Sequence, residues 1–203
     1  MNKRIAALGA LLLLSACAGG GGSGFGYYTL VQPQPRVVAA GSMTVTPSMR
    51  WNRVPRSVYD IGKEENWTLN GPLLDSMTFI GGLENDKRIV VQRRKADRKV
   101  PNYRSDMSPP EIAAMLESFY RIRAGATTFE MENLAPRQFA GQPGFQFDYR
   151  YLTGNELERR GRAVGATING RFYLALFDAA RTHYFDAGLP EFERIVTSAR
   201  LRT

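Results

Sequence analysis

Phe145-Gln146-Phe147-Asp148-Tyr149-Arg150-Tyr151 alternates aromatic and polar side chains without a break, the period-two pattern of a strand with one apolar face. Thr153-Gly154-Asn155 turns the chain, and a second strand is predicted over residues 159–168. That strand meets Asn169-Gly170, a pair favoured by type I′ turns because both central residues need positive φ. Phe172-Tyr173-Leu174-Ala175-Leu176-Phe177 follows, nearly all apolar, as suits a central strand covered on both faces. From a start near Pro190, Phe192, Ile195, Val196 and Ala199 recur at i, i+3, i+4 and i+7, the stripe of a packing helix. These residues describe a three-strand antiparallel meander closed by a terminal helix.

Upstream, Ser108-Pro109-Pro110-Glu111 matches a capping box, with proline tolerated in a first turn whose N–H groups have no intrahelical partner. Ile112, Met115, Leu116, Phe119 and Tyr120 give that helix one buried face, and Gly125 supplies its stop. Residues 42–49 and 67–69 read as short strands. Met77-Thr78-Phe79-Ile80 and Arg88-Ile89-Val90-Val91-Gln92 read as the arms of a hairpin turning at Glu84-Asn85-Asp86-Lys87. Gly81-Gly82 in its first arm marks a bulge or a close backbone approach. The expected fold class is α+β, an antiparallel sheet with two main helices packed on it. This order of elements, carried by residues 143–151, 159–180 and 190–201 with 44–51 upstream, resembles the PsbP-like α/β/α sandwich. The resemblance implies a binding or assembly module with no shared catalytic site, and it carries no functional residue across.

The N-terminus reads as an address. Lys3 and Arg4 precede an apolar run over residues 5–14, and Leu14-Ser15-Ala16-Cys17 ends in small residues and the only cysteine. The run is about half the ~20 residues of a spanning helix. Leu14-Ser15-Ala16-Cys17 resembles the lipobox of bacterial lipoproteins. That resemblance implies removal of residues 1–16, a diacylglycerol thioether on Cys17 and an acyl group on its amine. Ala18, in place of an acidic residue, resembles the pattern for outer-membrane sorting, with the protein facing the periplasm. Two or three acyl chains hold far more firmly than one, since each buried CH₂ contributes ~0.8 kcal/mol. Residues 17–36, opening on Gly19-Gly20-Gly21-Gly22-Ser23-Gly24, read as a flexible tether, and residues 37–203 as a single domain.

With 27 Lys and Arg against 19 Asp and Glu, the chain is basic, which favours anionic partners. Lys87, Arg88, Arg93, Arg94, Lys95, Arg98, Lys99 and Arg104 are opposed between residues 87 and 104 only by Asp97. Such a cluster could bind anionic lipid or polysaccharide, although charge runs more often only solvate a surface. Arg150, Arg159, Arg160 and Arg162 could extend it. Nucleic acid is an unlikely partner for an envelope-anchored domain.

Catalytic candidates are sparse. His183 is the sole histidine and reads as a surface or strand-end residue. Asp60, Glu64, Glu65 and Asp75, and the pair Glu130 and Glu132, could serve a carboxylate-dependent hydrolase, but solvated surface carboxylates are the default. Trp51 and Trp67 could stack on a ligand, yet core packing is the commoner use of such aromatics. No cofactor, metal site or catalytic set is expected. The reading is a lipid-anchored envelope lipoprotein, a non-enzymatic binding or assembly module with an envelope protein as partner.

Overall fold

Asn169 and Gly170 both take positive φ, 50° and 72°, and close the tight hairpin that pairs Arg171 with Ile168. Around it the computed structural model describes residues 27–92 and 100–202. The elements are β1 (Thr29–Val31), β2 (Arg36–Val38), β3 (Met43–Val45), β4 (Trp51–Arg53), β5 (Glu64–Thr68), β6 (Asp75–Leu83), α1 (Pro109–Ala124), β7 (Thr128–Phe139), β8 (Gln142–Leu152), β9 (Glu158–Ile168), β10 (Arg171–Ala180), α2 (Tyr184–Ser198) and β11 (Arg200–Leu201). Eight strands form one sheet in the order β1-β4-β5-β6-β10-β9-β8-β7, and β11-β3-β2 form a second, smaller one. The meander β8-β9-β10 is joined to β6 on one side and to β7 on the other.

Strand β10 shows why the fold has three layers. Phe172, Leu174 and Leu176 pack with Ile112, Met115, Leu116 and Phe119 of α1, whereas Ala175, Phe177 and Ala179 pack with Phe192, Ile195 and Val196 of α2. Alternate residues therefore face opposite helices, which accounts for the continuous apolar run. The architecture is an α/β/α sandwich of the α+β class. Trp51 and Trp67 are fully buried on the α2 side, with Trp67 edge-on to Phe79 at 4.9 Å.

Glu111 accepts from the Ser108 backbone N–H and hydroxyl, each at 2.8 Å, and Gly125 ends α1 in the left-handed region. The Gly81-Gly82 signal marks both a bulge and a close approach. Phe172 pairs with Leu83 and Tyr173 with Gly81, leaving Gly82 over at φ 68°. A Cβ on Gly81 would stand 1.7 Å from Ser42 Oγ.

Three expectations are corrected. The hairpin through 84–87 does not form. Residues 84–87 turn, Arg88 makes one isolated bridge to Asn102, and Ile89 and Val90 pack into the α1-side core as irregular chain. Helix α2 begins at Tyr184, with Pro190 inside it, so the Asp186 carbonyl loses its usual N–H partner there. Within the stretch read as tether, Thr29–Val31 pairs with β4 as the edge of the large sheet, and β2 starts at Arg36. Residues 1–26, with the leader and Cys17, lie outside the described residues, as do Arg93, Arg94, Lys95, Arg98 and Lys99.

Candidate functional site

On the α1 face the apolar core gives way to a polar floor near the end of β10. Asp178 of β10 lies opposite Ser76 of β6 and Gly161 of β9, and only 3 % of it is exposed. Its Oδ1 accepts from Arg159 Nε at 2.7 Å and from the Tyr151 hydroxyl at 2.8 Å, while Oδ2 accepts from the Tyr120 hydroxyl at 3.1 Å. Arg159 also donates to the carbonyls of Leu73 and Asp178. The Tyr120 and Tyr149 hydroxyls meet in a short hydrogen bond. Glycine at 161 makes this possible, because a Cβ there would stand 2.2 Å from the Tyr149 ring.

Burial pushes the hydroxyls of Tyr120, Tyr149 and Tyr151 well above the ordinary tyrosine range, and the nearby Asp178 charge pushes the same way. All three remain neutral donors. Burial works against the charge of Arg159, but the adjacent Asp178 outweighs it and holds the guanidinium above its usual value. A buried carboxylate with a guanidinium and two hydroxyls on it is a satisfied group.

Above this floor opens a cleft of about 390 Å³, walled by Phe119 and Arg123 of α1 and by the loops carrying Leu73 and Leu157. Leu73 stands at its rim with 77 % of its surface exposed. Behind Arg123 lies a second polar cluster. Arg123 pairs with Asp60 in a short contact and with Glu64 Oε1 at 3.0 Å. Asn66 Nδ2 donates to Glu64 Oε1 at 2.9 Å, and Asn66 Oδ1 accepts from Thr78 Oγ1 at 2.6 Å. Glu64 Oε2 is buried with no hydrogen-bond partner among the described residues. Burial raises the Glu64 pKa to about 7, with Asp60 adding to the rise and Arg123 and Asn66 opposing it.

The carboxylates expected to be solvated are largely not. Glu64 is 2 % exposed and Asp75 is 1 % exposed. Asp75 binds the backbone N–H groups of Leu69 and Asn70 at 2.6 and 2.9 Å and the Thr68 hydroxyl at 2.8 Å, so it shapes the β5–β6 turn. Glu65 accepts from Trp67 Nε1 and pairs with Arg53. Glu130 is the exception, exposed and paired with Arg150 across the β7–β8 edge. His183 is exposed at the start of α2 with φ 74°.

The second group of arginines does not form one basic face. Arg159 is buried under α1. Arg162 points to the other side, onto Asp148 and Glu193, and Arg160 lies over the Phe185 ring. Of the first cluster, Lys87 and Arg88 are exposed and line a shallow hollow of about 310 Å³ with Lys63 and Glu84. Arg104 is drawn into pairs with Asp106 and Glu111. Among the described residues no three His, Cys, Asp or Glu side chains converge as a metal site.

The cleft floor had one signal in the sequence, an aspartate near the end of a largely apolar strand. Its partner is 19 positions away, and nothing in local spacing connects them.

No family model matches the chain, and no curated protein matches it. Among solved structures, the solution structure of cyanobacterial PsbP (CyanoP) from Synechocystis sp. PCC 6803 superposes at TM-score 0.53 with 16 % identity, covering 93 % of this chain and 99 % of that one. The Ran-binding protein Mog1p of Saccharomyces cerevisiae gives TM-score 0.46 at 11 % identity over 86 % of this chain and 95 % of that one. LpqN of Mycobacterium tuberculosis, described as involved in cell envelope biogenesis, gives 0.32 at 10 % identity, with 88 % and 86 % covered. The last two superpose too loosely to bear on the fold. The CyanoP match, at its low identity, shows a shared PsbP-like fold and nothing about activity.

Proposed function

We propose that this chain is a lipid-anchored envelope protein that works as a non-enzymatic binding or assembly module, docking an apolar segment of a protein partner in the α1-side cleft. The observation that carries this reading is Leu73, exposed at the mouth of a preformed cleft whose floor is already hydrogen-bonded within itself. An apolar side chain entering such a site covers Leu73 and Leu157 without stranding a buried polar group, so its burial is a net gain. Asp178 supports the non-enzymatic part. Both of its carboxyl oxygens already accept hydrogen bonds from Arg159 and two tyrosines, so it is poorly placed to reach a substrate proton. The hydrolase alternative loses ground at Asp75 for the same reason, since that carboxylate is spent on a turn.

Anchorage rests on Leu14-Ser15-Ala16-Cys17, and Ala18 after the cysteine supports an outer-membrane, periplasm-facing placement. Intact-mass analysis of the membrane-extracted protein should find residues 1–16 gone and Cys17 acylated; a bare thiol refutes the anchor. For the cleft, Leu73→Asp with Leu157→Asp should leave the fold and the anchor intact while abolishing capture of the envelope partner by crosslinking in cells. Unchanged capture refutes the cleft as the docking site.

A second reading, binding of anionic lipid or polysaccharide, is favoured by the convergence of Lys63, Lys87 and Arg88 on one hollow in which Glu84 is the one acidic residue of the described lining. Charge reversal at Lys87, Arg88, Arg93, Arg94 and Lys95 should then weaken vesicle binding, more so at low salt.

A further inference from the structure

The two edges of the large sheet are built to opposite rules. Strand β7 carries the devices that keep an edge from pairing with another chain. Glu130 and Glu132 are charged, Pro136 removes a donor, and Asn133 at φ 54° begins a bulge in which two residues face Phe147. Strand β1, at the other edge, is only three residues long and carries no charge, proline or bulge. Leu30 is 52 % exposed, and Tyr28 and Tyr27, just before the strand, are 53 % and 92 % exposed. Tyr28 and Leu30 lie two residues apart and share a face, while Val31 turns inward against the Trp51 side of the core. No charged residue occurs between Arg4 and Arg36.

An uncharged edge with exposed aromatic and aliphatic side chains needs a cover. Its position in the chain points to which one. Ten residue steps separate Tyr27 from Cys17, and even fully extended they span at most about 35 Å. We infer that the β1 edge, through Tyr27, Tyr28 and Leu30, is an interfacial docking surface for the lipid bilayer, seating the domain against the membrane that holds its anchor. This rests on the lipid-anchor reading of Cys17 and goes beyond it, since an anchor alone leaves the domain free to tumble. Tyrosine suits the role, with an apolar ring for the acyl boundary and a hydroxyl for the headgroups. The absence of charge within residues 27–31 lowers the desolvation cost of entering that layer.

The geometry also leaves the cleft free. Asp178 lies on β10, four strands from β1, which at a strand spacing of ~4.8 Å is about 19 Å across the sheet. A domain seated on its β1 edge keeps the Asp178 floor off the bilayer surface.

With Cys17 acylated, a single introduced cysteine can be labelled selectively. The full lipidated chain carrying Leu30→Cys with an environment-sensitive fluorophore, and a parallel chain carrying Asn155→Cys, are placed on phosphatidylethanolamine–phosphatidylglycerol vesicles containing nitroxide lipids. Quenching should be severalfold stronger at position 30 than at 155, and Tyr27→Ser with Tyr28→Ser should bring position 30 down to the level of 155. Equal quenching at both positions with the tyrosines present overturns the docking surface, and so does strong quenching at position 30 that survives their loss. Cosedimentation with the same vesicles reads the anchor separately. A lipidated chain that sediments while position 30 stays unquenched loses only the docking surface, whereas one that stays in the supernatant loses both.

Discussion

Two arginine–aspartate pairs bridge the meander on opposite faces of one sheet. Under α1, Arg159 and Asp178 are almost wholly buried, with side-chain exposures of 4 and 5 %, and among the described residues the only helical group bonded to Asp178 is the Tyr120 hydroxyl. Under α2, Arg162 grips Asp148 through Nε and Nη2 at 2.6 and 3.0 Å, and its Nη1 reaches Glu193 of the helix at 2.8 Å. Arg137 of β7 binds the same Glu193 at 2.6 Å. Burial opposes the Glu193 charge, but the hydrogen bonds from Arg137 and Arg162 outweigh it and hold its pKa low. The α2 face is thus tied shut by a helix carboxylate. On the α1 face the helix meets Asp178 only with the Tyr120 hydroxyl and ties to β5 elsewhere, through Arg123 and Glu64, leaving the cleft above Asp178 open. Similar pairs serve closure on one side and a preformed floor on the other.

Removing one arginine from each pair should break the symmetry most visibly. Arg159→Met leaves Asp178 buried and uncompensated, so chemical denaturation should show a loss of about 3–5 kcal/mol. Arg162→Met should cost about 1–3 kcal/mol, because its pair is partly solvated and screened. Equal losses would mean that the two faces do not differ in the way described.

The α1 face also carries a titration. With the Glu64 pKa raised to about 7 from 4.5, the folded state holds a proton that the unfolded chain releases. That stabilisation is fully present below pH 4.5 and is lost as pH rises through about 7. The slope is at most ~1.4 kcal/mol per pH unit. Denaturation curves for Glu64→Gln, which mimics the protonated form, should lack that slope, and an unaltered slope would assign it elsewhere.

Packing gives a smaller effect. Gly161→Ala forces a methyl group into the Tyr149 ring and should cost about 1–3 kcal/mol by thermal denaturation, with changed near-ultraviolet circular dichroism from the tyrosine cluster. At the bottom of the scale stands the exposed Glu130–Arg150 pair, where Glu130→Ala should stay within about 0.5 kcal/mol of the parent chain.

What could be read ahead of the structure follows from how local each signal is. The meander was legible because alternation, an Asn-Gly turn and an apolar central strand are all encoded within a few residues of where they act. The capping box made α1 legible for the same reason. Helix α2 was started late because Pro190 looks like a first-turn proline, while the true start at Tyr184 follows His183, which has no side-chain cap. Ile89-Val90-Val91 has strand composition, yet the segment is irregular and buries Ile89 and Val90 beside α1, where tertiary packing overrides propensity. Strand β1 is three residues long and lay within a stretch that reads as linker. The burial of Glu64 was hidden because its counterion, Arg123, is supplied by a helix 59 positions away.

The central claim is that the α1 side is the docking face and the α2 side a closed one. Placing a photo-crosslinking residue at Leu73 in one lipidated chain and at Thr197 of α2 in another, both in the native cell, tests it most directly. A discrete adduct with an envelope protein from position 73 and none from position 197 is the predicted result. Adducts of equal yield from both positions, or from position 197 alone, would contradict it.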